Sequence, residues 1–344
     1  MSYIDFPTFN HRFDSNYHYV VPEFSEETDF KLNFNKALEE YREAQASGIT
    51  TRPVILGPVS FLVLGKAAKG SAIGFQPISL LSKLLPVYKT LLADLKNVGV
   101  EWVQIDEPIL VLDIAAKFQR EYVEAYTDLS PVSPKILLTT YFARLDSNIN
   151  YIAKLPIAGL HIDLDRAPGQ LDEVIAAIKP TAITLSLGLV SGRNIWKTDF
   201  KAAIGLGQKA VEALGQDRVI VATSSSLLHT PVTLASETKL TEEQKDWFSF
   251  ALEKASEVAI IAAALSGSQD SKVAKAIEEN RLSIARRRDF EKNSDDAVRR
   301  RVEAITPDML ERRSPFASRK EIQAKHLNLP KFPTTTIGSF PVSS

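Results

Sequence analysis

Six short apolar runs, rich in β-branched residues and separated by longer stretches of helical periodicity, limit this chain to folds built on a parallel sheet. The runs are Pro53-Val54-Ile55-Leu56, Trp102-Val103-Gln104-Ile105, Lys135 to Thr139, Gly159-Leu160-His161-Ile162, Ala182 to Leu187 and Val219 to Ala222. Parallel neighbours need a crossover of a dozen or more residues, and a helix supplies it. The intervening segments read as such helices. Leu84, Tyr88, Leu91 and Leu95 share one helical face that Gly99 closes. Thr241 with Gln244 forms a capping box, and that helix is expected to run to Gly267. The alternation fits either a (β/α) barrel or a doubly wound sheet. A full barrel needs eight strands, whereas about six units are visible here.

Composition removes several function classes. The net charge of -1 offers no field for nucleic acid or an acidic membrane surface. Arg286-Arg287-Arg288 and Arg299-Arg300-Arg301 could suggest a nucleic-acid arm, but Asp289, Glu291, Asp295, Asp296 and Glu303 interleave with them. Residues 270–330 therefore read as solvated helix faces. With no cysteine, disulfides and thiolate metal ligands are excluded, and the five histidines show no helical pairing suited to a metal. The polar, aromatic start lacks the layout of a signal peptide, and no apolar run is long enough to span a bilayer. The expectation is a soluble cytoplasmic protein with no nucleic-acid or membrane partner and no metal.

Polar groups gather at four strand ends, where a barrel keeps its active site. Period-two alternation places Gln104 and Asp106 on one face, with Val103 and Ile105 toward the helices. It likewise places His161 and Asp163 opposite Leu160 and Ile162. Arg193 follows a strand within Gly192-Arg193-Asn194, and Ser225 lies in Thr223-Ser224-Ser225-Ser226, close to His229. Asp106, His161, Asp163, Arg193 and Ser225 thus form the candidate polar mouth. A serine hydrolase could be drawn from Ser224 or Ser225, His161, and Asp163 or Asp106, but no Gly-x-Ser-x-Gly elbow is present. A glycosidase pair of Asp106 and Glu107 fails because adjacent strand residues face opposite ways. Gly65-Lys66 lacks the upstream glycine of a phosphate loop.

In order, Phe13 to Tyr19, Leu56-Gly57-Pro58-Val59, Trp102 to Pro108, Thr139-Thr140-Tyr141-Phe142, Gly192 to Trp196, Ala222 to His229 and Pro333 to Pro341 closely resemble the amino-terminal half of cobalamin-independent methionine synthase. The resemblance runs from about residue 13 onward. It implies a TIM-type (β/α) barrel, incomplete at about six of eight units, over residues 1–266. A charged helical segment over 267–331 and the start of a second barrel over 332–344 would follow. The implied activity is methyl transfer from 5-methyltetrahydropteroyltriglutamate to homocysteine, giving methionine. The family's carboxyl barrel holds the catalytic zinc through histidine, glutamate and two cysteines. The amino barrel is mainly structural and helps bind the folate's polyglutamate tail.

By resemblance, Ile337, Gly338 and Ser339 match the loop that holds the homocysteine carboxylate. His11, with Arg12 beside it, stands where the family tends to carry a folate-tail lysine, and a histidine is mostly neutral at pH 7. Thr139, Tyr141, Asp163 and Ser225 fall where the sister barrel has zinc ligands, and only Asp163 has ligand chemistry. The chain alone is therefore expected to lack zinc and turnover. The implied partners are the folate polyglutamate and either a complementary barrel fragment or a second copy of the chain. The alternative is a non-catalytic truncated paralogue acting as a binding or scaffold protein.

Overall fold

A computed structural model describes residues 9–11, 18–293 and 295–334. Arg12, Ile337, Gly338 and Ser339 lie outside these residues, while His11 closes the short strand Phe9–His11 and pairs in register with His18. The chain divides into two compact units, Met1–Ala285 and Arg286–Ser344.

All six apolar runs form strands of one sheet: β1 (Val54–Leu56), β2 (Trp102–Asp106), β3 (Lys135–Thr139), β4 (Gly159–Asp163), β5 (Thr184–Val190) and β6 (Val219–Thr223). Every pairing is parallel, and strands adjacent in the chain are adjacent in the sheet. The order never reverses, which removes the doubly wound alternative, since that fold turns back at a switch point. Among the described residues, β1 and β6 each keep an unpaired edge.

One face of the sheet is packed under helices. Val103, Ile105, Leu138, Leu160, Ile162, Leu185 and Leu187 are fully buried there, as alternation predicts. Helices Leu81–Asn97, Gln119–Leu129, Leu171–Ile178 and Phe200–Leu214 supply the opposing side chains, among them Leu84, Leu92, Leu95, Tyr122, Tyr126, Val174 and Phe200. Gly99 ends the first crossover helix at φ +84°, a conformation costly for any residue with a Cβ.

The capping box at Thr241 forms through both of its bonds, Gln244 N–H to Thr241 Oγ1 (3.2 Å) and Thr241 N–H to Gln244 Oε1 (3.0 Å). The helix it starts, however, does not reach Gly267. It spans Glu242–Trp247, and a second helix, Ala251–Leu265, begins after a break. The break occurs because Phe248 bridges Trp196 in extended conformation, while Lys197 N–H donates to the Trp247 carbonyl and Ser249 N–H to that of Ile195. Beyond Gly267 the helix Ser271–Asn293 starts, and its Asn280, Ser283 and Ile284 are buried.

In the second unit, helices Asp296–Glu303 and Phe316–Leu327 bury no residue. Arg299 and Arg300 pair with Asp296 in solvent, the arrangement expected of solvated faces. No helix among the described residues is long and apolar enough to cross a membrane.

Candidate functional site

On the sheet face away from the helices lies a cavity of about 810 Å³. Arg52, Val54 and Leu56 line it from β1 and its approach, Gln104 and Asp106 from β2, and Leu137 and Thr139 from β3. His161, Ser186, Thr223, Ser225 and His229 complete its polar wall, with Tyr141 and Phe142 at the rim. Its size suits a small organic molecule.

The structure brings Asp106 and His161, which alternation placed on this face, together with the strand-end Ser225 in one wall. Asp106 Oδ1 accepts from Gln104 Nε2 at 2.8 Å. The His161 ring lies between Ser186 Oγ at 2.9 Å (Nδ1) and the Ser224 carbonyl at 3.5 Å (Nε2). A carbonyl only accepts, so Nε2 carries the proton and Ser186 donates to Nδ1. Burial pulls the His161 pKa down to about 4; the Ser224 carbonyl opposes this, and the charge of Arg52 adds to it. The ring is neutral at ordinary pH and occupied at both nitrogens. It cannot serve Ser225 as a base, and the hydrolase arrangement is not formed.

Asp163 shares the strand with His161 but does not line the cavity. Its carboxylate accepts from the backbone N–H groups of Phe142 (2.9 Å), Asp165 (3.0 Å) and Arg166 (2.8 Å). Burial raises its pKa against the effect of these bonds. The side chain is a clamp for two loops. It holds Phe142 at φ +74°, a conformation seldom adopted by a residue with a bulky side chain. The Phe142 ring then meets Tyr141 at 4.7 Å, His229 at 5.9 Å and the Arg193 guanidinium at 5.0 Å. Arg193 thus reaches the rim through Phe142 and is not part of the wall.

The loop carrying Arg193 is fixed from behind by buried polar groups. Lys254, fully buried, donates to the Trp196 carbonyl at 2.9 Å, and Glu257 accepts from Thr198 N–H at 3.3 Å. Asn280 brackets the same turn, donating to the Thr198 carbonyl (2.8 Å) and accepting from Phe200 N–H (3.1 Å).

Three residues emerge from the structure that the strand-end reading did not select. Arg52 lies two residues before Val54, and alternation would have placed it with Val54 and Leu56. Ser186 alternates with Leu185 and Leu187 in the same way. Glu107 faces the helices, opposite Asp106, which confirms that the two carboxylates cannot flank one bond. It is fully buried and accepts from Ser60 N–H (2.8 Å), Val59 N–H (3.4 Å) and the Tyr126 hydroxyl (3.2 Å). Burial lifts its pKa to about 7, against the lowering effect of those bonds.

The residues present do not fit the zinc of the resembled enzyme. The chain has no cysteine, Asp163 is committed to three N–H groups, and no group of three potential ligands exists among the described residues. Among the described residues the wall offers hydrogen-bonding groups, the Arg52 guanidinium and the Asp106 carboxylate.

A singly wound parallel sheet, helices on one face and polar groups at the carboxyl ends of its strands, defines an α/β protein with a ligand-sized mouth. Residues 8–215 match the family described as cobalamin-independent synthase, N-terminal domain. The chain belongs to that family. It is 53% identical over 333 residues to the 5-methyltetrahydropteroyltriglutamate–homocysteine methyltransferase of Candida albicans, covering 96% of this chain and 43% of the relative. The Saccharomyces cerevisiae enzyme of the same name is 53% identical over 331 residues, covering 96% and 42%. That of Parvibaculum lavamentivorans is 45% identical over 335 residues, covering 96% and 43%. The chain therefore spans less than half the length of the curated relatives it matches.

Proposed function

We propose that this chain is the amino-terminal, folate-tail-assisting part of a methyltransferase that moves a methyl group from 5-methyltetrahydropteroyltriglutamate to homocysteine in methionine biosynthesis. The observation that carries this reading is 53% identity across 96% of the chain to enzymes bearing that name. The non-catalytic alternative gains no support from those names. In this reading the sheet is six consecutive strands of a TIM-type barrel, and the unpaired edges of β1 and β6 are where closing strands would attach, from a complementary fragment or a second copy. Zinc and the thiol chemistry belong to a carboxyl-terminal barrel, whose metal would hold homocysteine as a thiolate. This chain contributes packing and orientation, and the setting is the cytoplasm.

Equilibrium dialysis of the purified chain against 5-methyltetrahydropteroyltriglutamate and its monoglutamate tests the folate-tail role. Saturable binding that favours the triglutamate and weakens with added salt is the expected result. Equal retention of both ligands, or of neither, contradicts the role.

A further inference from the structure

Glu107 is a fully buried carboxyl with no cation paired to it among the described residues, placed where the cavity wall meets the helix layer. The groups bonded to it are donors. Its Oε1 accepts from the Tyr126 hydroxyl (3.2 Å) and from Val59 N–H (3.4 Å), and its Oε2 from Ser60 N–H (2.8 Å). Val59 and Ser60 open the helix Pro58–Val63, which follows β1 through Gly57. The carboxyl occupies the place a side chain at 57 would take, since a Cβ there would overlap Glu107 Cδ. The turn from Leu56 to Ser60 is thus folded onto this one group. A further tie runs to the adjacent residue, where Gly57 N–H donates to the Asp106 carbonyl at 2.8 Å. Leu56 and Asp106 both line the cavity, so the helix-side carboxyl and the wall share a single turn.

The titratable groups packed around Glu107 are phenols. Tyr88 comes from helix Leu81–Asn97, Tyr122 and Tyr126 from Gln119–Leu129, and Tyr151 from Ile149–Ile152. Burial and the Glu107 charge raise all four pKa values, so within this cluster it is Glu107 that changes charge near neutrality. Asp106, next in the chain, points the other way into the cavity.

We propose that Glu107 is a proton-gated latch: its neutral form keeps the Leu56–Ser60 turn closed, and loss of the proton lifts the turn and parts the cavity wall between Leu56 and Asp106. The direction follows from linkage. In the closed turn burial outweighs the hydrogen bonds, and the carboxyl holds its proton. Lifting the turn hydrates the carboxyl and restores its ordinary acidity, so ionisation favours lifting. The latch stands whether or not the chain takes part in methyl transfer.

Amide hydrogen exchange of the purified chain, read by nuclear magnetic resonance from about pH 5 to 9 and corrected for intrinsic rates, tests the latch. Protection of the Gly57, Val59 and Ser60 amides is expected to fall on the order of a hundredfold and then level off as pH rises. Leu160, in the interior strand β4, should stay at least about tenfold better protected, which separates lifting of the turn from unfolding. Glu107→Gln should abolish the fall. Tyr126→Phe removes a bond to the carboxylate and should move the levelling-off upward by roughly one pH unit; it carries the test alone should Glu107→Gln not fold. Protection that stays flat overturns the proposal. So does a fall that survives Glu107→Gln, one whose end point Tyr126→Phe leaves in place, one shared equally by Leu160, or one that reaches Ser60 and spares Gly57.

Discussion

Relative to Glu107→Gln, the wild-type chain is expected to lose about 3 kcal/mol of unfolding free energy as pH rises from 4.5 to 7.5. Glu107 ends β2 on the helix side and is completely buried, with Tyr122 and Tyr126 of helix Gln119–Leu129, Tyr88 of helix Leu81–Asn97 and Tyr151 close enough for its charge to raise their pKa values. Hydrogen bonds from Val59, Ser60 and Tyr126 offset part of its desolvation, and no cation among the described residues pairs with it. The carboxyl titrates at about 7 when folded, against an ordinary value of 4.5. A raised folded pKa means that the native state holds the proton more tightly. Its contribution is fully present below about 4.5, declines through the interval and is gone once pH has passed the folded value. Other carboxylates titrate in this range too, so the quantity to follow is the difference between wild type and Glu107→Gln in urea unfolding. A difference that stays constant with pH would mean that Glu107 titrates in the fold as it does in the unfolded chain.

Gly188→Ala is expected to destabilise the chain by about 3 kcal/mol or more. Gly188 lies in β5, where an added Cβ would stand 2.7 Å from Ser224 Cα and 2.8 Å from the Ile162 carbonyl oxygen. Both are backbone atoms of the flanking chain segments, so no rotamer change relieves the overlap. The Cβ would also press on His161 Cε1 at 3.2 Å and disturb the cavity wall. Gly169→Ala is the control, since a Cβ there meets nothing within 4 Å. Its effect should stay within about 0.5 kcal/mol. Urea midpoints at unchanged slope read both variants. A Gly188→Ala chain as stable as the control would show that β4 and the segment after β6 do not approach as closely as described.

The strands were legible because their signal is local: a β-branched run bounded by helical periodicity needs no knowledge of its neighbours. The same alternation sorted β2 and β4 correctly, sending Val103, Ile105, Leu160 and Ile162 under the helices and Asp106 and His161 into the cavity. It failed at Asp163, where the strand ends and the carboxylate is captured by N–H groups of two loops whose paths depend on tertiary packing. The single helix expected from Thr241 to Gly267 failed for a related reason. Nothing near Phe248 breaks a helix in sequence; the interruption is imposed by Trp196, distant in the chain and adjacent in space. Arg52 was legible in principle, as an alternation partner of Val54 and Leu56.

Membership in the methyltransferase as a working part is the central claim, and methyl transfer itself tests it most directly. The chain would be joined in one polypeptide to the remainder of the Candida albicans relative, loaded with zinc and supplied with homocysteine and methyl-labelled 5-methyltetrahydropteroyltriglutamate. Mass spectrometry would follow the label. Labelled methionine from the joined protein, with none from the chain by itself, is the predicted result. A folded, zinc-loaded protein that leaves the label on the folate would contradict it.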